Sequence, residues 1–166
     1  MKKVFLILLL TSLLIPAQEK NKMVVDEKSG KTMVVGICNR TVFADTNFSW
    51  WYDSEYNNYE VNPDSIIGLK EKLENVKIDI VFGSWCSDSR REVPRFLKIL
   101  DELKYDYKNL SMIAVNRKKE AEGTKVKDLE IKLVPTFIFY SDEKEIGRII
   151  ETPVGTLEGN LQRILD

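Results

Sequence analysis

Cys86 stands in Trp85-Cys86-Ser87-Asp88-Ser89, just after a β-rich run at 78–82 that ends in Gly83-Ser84. Beyond Ser89, Val93, Phe96, Leu97, Leu100 and Leu103 recur at helical spacing. The spacing therefore sets a thiol where a strand hands over to a helix. A cysteine there lies beside unpaired backbone N–H groups and the positive end of the helix dipole, and both stabilise a thiolate. The thiolate is the form that attacks a disulfide sulfur. Arg90 and Arg91 add positive charge nearby, Asp88 offsets part of it, and Ser89 is expected to donate a hydrogen bond to the thiolate.

Other chemistries are excluded by what the chain lacks. It has no histidine, which removes His-based hydrolase triads and His-ligated metal sites. The two cysteines, Cys38 and Cys86, are too few for a structural zinc site, and neither a metal nor another cofactor is expected. An even cysteine count allows a disulfide, which would stabilise the fold by ~4 kcal/mol if the geometry fits. Cys38 is a candidate resolving thiol, or else a small buried hydrophobe within Val34-Val35-Gly36-Ile37-Cys38.

The elements that position Cys86 follow from periodicity and turn chemistry. Residues 18–32 are polar and Lys-rich and read as a loosely held lead-in. Residues 33–37 read as a short strand or the entry to a helix. Phe43, Phe48, Trp50, Trp51, Tyr52, Tyr56 and Tyr59 crowd 43–59; four of them, Phe48, Tyr52, Tyr56 and Tyr59, fall at helical spacing, which predicts an amphipathic helix packed on the domain. Asn62-Pro63 opens a helix that runs to about Asn75, with Ile66, Leu69 and Leu73 buried. After the strand at 78–82 come a long helix at about 89–104 carrying Pro94, a strand at 110–115 and a short helix near 125–129. A strand at 137–140 turns into another at 145–150, and a helix at 156–165 ends the chain. This order suits a central mixed β-sheet flanked by helices, an α/β domain.

Three separated features carry a resemblance to the thioredoxin-like family over roughly 64–166. They are the Trp85-Cys86 turn, Pro94 eight residues later, and Val134-Pro135-Thr136 before a strand. The resemblance implies a thioredoxin-like fold, a cis peptide bond at Pro135 against Cys86, and a substrate-binding face formed by Trp85, Val134 and Pro135. It also implies thiol–disulfide exchange on protein or small-molecule disulfides. Two departures narrow it. Ser89 stands where the family's second cysteine would be, so an external thiol or Cys38 must resolve a mixed disulfide. Ile80 stands where the family often keeps a buried acid, and strand alternation turns Asp79 to the other face.

Met1-Lys2-Lys3 and the apolar run at 4–15 read as a signal peptide over 1–17, too short for a membrane span, which needs about 20 apolar residues. The expected organisation is that leader, an aromatic-rich N-terminal extension at 18–61, and a thioredoxin-like domain at 62–166. Without Lys2 and Lys3 the 25 basic residues fall to 23 against 26 acidic ones, a net of −3 that invites neither nucleic acid nor an anionic membrane. Arg117-Lys118-Lys119 is offset by Glu120 and Glu122 and reads as a solvated loop. The expected protein is an exported, periplasmic thiol–disulfide oxidoreductase with one in-motif nucleophile. The alternative is a redox-inactive peptide- or protein-binding module; a thiol peroxidase ranks below both.

Overall fold

The computed structural model describes residues 19–166, so the leader expected at 1–17 lies outside the described residues. Five strands form the main sheet: β3 (Gly36–Cys38), β4 (Lys77–Phe82), β5 (Leu110–Ala114), β6 (Thr136–Ser141) and β7 (Lys144–Ile150), in the order β3-β5-β4-β6-β7. β4 and β5 run parallel, and the other pairings are antiparallel. Four helices, α1 (Thr46–Asn58), α2 (Leu69–Leu73), α3 (Ser87–Glu102) and α4 (Leu157–Leu165), join them. This mixed sheet flanked by helices is the α/β, thioredoxin-like arrangement.

Strand alternation divides the interior in two. Ile78, Ile80 and Phe82 of β4, Met112 of β5 and Phe137 of β6 face a large cluster shared with all four helices. Val81, Ile113, Val115 and Val134 face a smaller one, covered by Val126 of a 3-10 helix at Lys125–Leu129 and by loop residues. β4 is central and buried on both faces, which explains why Ile78, Ile80, Val81 and Phe82 are all apolar, with Asp79 the one charged residue among them. α3 buries Val93, Phe96, Leu97, Ile99 and Leu100 in the large cluster, at about 1.5–3 kcal/mol for each fully buried side chain. Pro94 lies inside α3 and withholds the N–H that would bond the Arg90 carbonyl, a site where helices bend.

The N-terminal segment departs from its expected looseness. β1 (Met23–Val25) and β2 (Thr32–Val34) form an antiparallel hairpin, with Met23 opposite Val34 and Val25 opposite Thr32. Its turn is tied by Asp26, whose carbonyl accepts from Gly30 N–H at 2.7 Å and whose side chain accepts from Ser29 Oγ at 2.5 Å. Residues 36–38 then leave the hairpin and become the edge strand of the main sheet, so the extension completes the sheet as well as covering it. The helix expected from Asn62 to about Asn75 is divided. Asn62 caps a 3-10 turn at Pro63–Ile66, and Gly68, at φ +74°, breaks the chain before α2. No helix among the described residues is long and apolar enough to cross a membrane.

Candidate functional site around Cys86

Cys86 is the N-cap of α3, with extended backbone at φ −90° and ψ 130°. Its N–H donates to the Gly83 carbonyl at 2.9 Å, and its own carbonyl receives the first helical bond, from Arg90 N–H at 3.1 Å. The turn thus lifts the thiol from the end of β4 to the start of α3 and leaves it half-buried. Sγ lies 3.3 Å from the Val134 carbonyl oxygen, to which the protonated thiol donates, and 4.0 Å from Asp88 Oδ2. The Val134–Pro135 peptide bond is cis. Two chain segments 48 residues apart therefore converge on one sulfur.

The flanking residues divide by partner. Trp85 donates its indole N–H to the Val115 carbonyl at 2.8 Å, and its ring presses so closely on Gly83 that a Cβ there would lie 2.7 Å from Trp85 Cε2. Arg90 donates to the Ser84 carbonyl at 2.7 Å; burial pushes its guanidinium below the ordinary arginine value, with the charge of Cys86 acting in the opposite sense. Arg91 is engaged in ion pairs with Asp88 at 2.9 Å and Glu92 at 2.6 Å. Ser89 is wholly buried, and its Oγ accepts from Gly83 N–H at 3.1 Å. In place of the hydrogen bond expected from Ser89 to the thiolate, the Oγ closes the turn that precedes Cys86.

Cys38 is not brought to Cys86. Both thiols are free. Cys38 is buried in the large cluster, while Cys86 packs against the smaller one on the other face of the sheet. Cys38 pairs with Met112, which pairs with Ile80. Two strand spacings put Cys38 about 10 Å from β4, before counting the further rise to Cys86. That exceeds the ~7 Å between Cα atoms that a disulfide spans. Burial pushes the Cys38 thiol up to about 12, and its Sγ contacts the Met112 carbonyl at 3.7 Å. Ile80 is fully buried in the large cluster, and the neighbouring Asp79 carboxylate pairs with Lys125 at 2.5 Å.

Val134 and Pro135 are both buried, and the Pro135 carbonyl is occupied by Glu151 N–H at 2.7 Å. The exposed apolar side chain on this loop is Leu133. Trp50 of α1 is 64% exposed, and the Arg90 guanidinium lies 5.8 Å from its ring. Helical spacing sets Trp50 off the aromatic stripe without linking it to Cys86, and nothing in a Leu-Val-Pro string says which apolar residue stays outside. Instead of being a solvated loop residue, Arg117 grips Asp26 with Nε at 2.9 Å and Nη2 at 2.8 Å, and lies 5.0 Å over the Trp85 ring. Among the described residues no cluster of three or more His, Cys, Asp and Glu is placed to hold a metal.

Comparison with known proteins finds partial similarity along the chain. No family model matches the chain. Mitochondrial thioredoxin O of rice (Oryza sativa subsp. japonica) is 26% identical over 104 residues, covering 61% of this chain and 58% of that protein. Thioredoxin-like protein R548 of Acanthamoeba polyphaga mimivirus is 28% identical over 88 residues, covering 52% of this chain and 61% of that protein. The chain thus spans about three-fifths of the length of the curated relatives it matches. Among solved structures, Fasciola hepatica thioredoxin superposes with a TM-score of 0.40 at 21% identity, over 57% of this chain and 86% of that one. Oxidised thioredoxin O2 from Arabidopsis thaliana gives 0.42 at 15% identity, over 62% and 89%. By its sheet topology the chain is thioredoxin-like in fold, and by sequence it is similar to thioredoxin-like proteins.

Proposed function

We propose that this chain is a thiol–disulfide oxidoreductase in which Cys86 is the nucleophile. The observation that carries this is the half-buried Cys86 thiol at the N-cap of α3, 3.3 Å from the Val134 carbonyl. The Cys86 thiolate attacks one sulfur of a substrate disulfide, forms a mixed disulfide with it and releases the other half as a thiolate. A second thiolate from outside the chain then attacks the substrate sulfur of that mixed disulfide. It leaves bonded to the substrate, and the Cys86 thiolate is restored. The external thiol is supported by Ser89 at the second motif position and by the burial of Cys38 in the other cluster. Disulfides of proteins or of small molecules are the substrate class. Export to the periplasm is part of this reading, supported by Lys2, Lys3 and the apolar run at 4–15.

Turnover of a mixed-disulfide substrate with added glutathione tests the proposal in wild type, Cys86→Ser and Cys38→Ser. Wild type and Cys38→Ser should turn over within about twofold of each other, and Cys86→Ser should fall to the uncatalysed rate. An inactive wild type would overturn it. The second reading, a peptide-binding module without redox turnover, is favoured by the missing second thiol and by Trp50 and Leu133 exposed around the site. An inactive wild type whose partner binding survives Cys86→Ser would establish it.

A further inference from the structure

Trp85 is held from three sides. Its indole N–H is bonded to the Val115 carbonyl, its Nε1, Cε2 and Cζ2 atoms crowd Gly83, and the Arg117 guanidinium lies 5.0 Å from the ring centroid. Val115 and Arg117 leave the end of β5 together, so the hydrogen bond and the cation come from one short segment. Arg117 is fixed in turn. Its fork binds both oxygens of Asp26, at 2.8 to 3.0 Å, and Asp26 is itself buried in the turn of the β1–β2 hairpin. The Arg117 and Ser29 hydrogen bonds hold the Asp26 carboxyl far below the usual carboxylate range, so the pair stays ionised at every ordinary pH. The same hairpin reaches the preceding residue too, since Val34 N–H donates to Ser84 Oγ at 3.1 Å in a buried contact. Ser84 and Trp85, the two residues before Cys86, are thus clamped by a hairpin from the far end of the chain.

We propose that Arg117 is a positioning residue of the Cys86 site. Anchored by Asp26, it pins Trp85 as a fixed wall beside the thiol, and so makes the N-terminal hairpin part of the site. A planar guanidinium does both jobs, because it forks onto a carboxylate and lies over an aromatic face; an ammonium does neither as well. The inference rests on the reading of Cys86 as the reacting group. It adds a selectivity: the fixed wall admits small or flexible disulfides to the thiol more readily than bulky ones.

Two readouts test it. The first is hydrogen exchange of the Trp85 indole N–H by NMR. The second is the rate of Cys86 modification by fluorescein maleimide divided by that for N-ethylmaleimide. That ratio compares a bulky and a small reagent of one chemistry, and any change in thiolate fraction cancels from it. In Arg117→Gln the exchange should speed at least tenfold and the bulky-to-small ratio should rise at least threefold. Asp26→Asn should move both in the same direction. Lys118→Gln, which loses the same charge one residue away, should move neither. A residue needed only for stability would lower the melting temperature and leave both readouts unchanged well below it. If either readout in Arg117→Gln stays within twofold of wild type, the proposal is overturned. Should that variant not fold, Arg117→Lys carries the test with the same thresholds, since lysine keeps the charge without the fork. A wild type that lacks disulfide turnover but shows these shifts would overturn the redox reading and leave the positioning role standing.

Discussion

Cys86 and Cys38 are the same side chain in opposite settings. Cys86 follows β4 across a tight turn and caps a helix, half-exposed, with a carbonyl, a carboxylate and the half-buried Arg90 around it. Cys38 is the last residue of the short edge strand β3 and lies in an apolar cluster, with a weak contact to the Met112 carbonyl. The difference teaches that the accessibility of a thiol here is set by its place in the chain and not by the residue type. A thiol at a chain corner is open to a disulfide sulfur, while a thiol within a strand row is a packing element of about the size of an alanine plus one heavy atom.

Labelling kinetics are the strongest way to break this contrast. With iodoacetamide at pH 8, native Cys86 should react at least about a thousandfold faster than Cys38. The Cys38 thiol is raised from its ordinary 9.0 to about 12, so at pH 8 it is almost wholly protonated as well as enclosed. A thiol so raised adds stability that is fully present below pH 9 and fades as pH climbs from 9 toward 12. Cys38 should therefore label only on unfolding, and mass spectrometry of a partly labelled sample reads the two sites separately. Labelling of Cys38 at a rate comparable to Cys86 in the native protein would dissolve the distinction.

A middle-sized effect is expected at Ser89. Ser89→Ala removes the acceptor of the buried Gly83 N–H and should cost about 1–3 kcal/mol in urea unfolding, since that donor is then left unpaired. If Ser89 instead served the thiol, the variant would keep its stability and lose turnover. The smallest effect belongs to Cys38→Ala. It should lower stability by roughly 1 kcal/mol, the scale of one deleted heavy atom in a core, with turnover unchanged. A turnover loss there beyond a few-fold would return Cys38 to the chemistry.

Much of the main sheet was legible along the chain. The runs at 78–82, 110–115 and 137–140 are apolar enough to be strands buried on both faces, and α3 announced itself through Val93, Phe96, Leu97 and Leu100. The hairpin at 23–34 was not legible, because its strands are three residues each and the apolar Met23, Val24 and Val25 sit within a polar, Lys-rich stretch. Its signal was the turn Asp26-Glu27-Lys28-Ser29-Gly30, where an aspartate bonds its own loop and Gly30 takes φ +68°. Gly68 was likewise readable as a break, yet the apolar spacing of Ile66, Leu69 and Leu73 across it imitated one continuous helix.

By itself the sequence determined the turn chemistry at Cys86, the exclusion of histidine-based mechanisms and the absence of a second thiol at Ser89, because each depends on residue type and local spacing. Only the tertiary structure decided which distant groups meet the thiol. Strand order put Cys38 two rows away from β4 and on the other face, whereas the loop carrying Val134 arrives within 3.3 Å of the sulfur. Asp26 and Arg117 are 91 residues apart, and their pairing depends on a hairpin folding back onto the end of β5. No local pattern encodes that meeting; it follows from the way the sheet's parallel and antiparallel pairings bring remote segments to one corner.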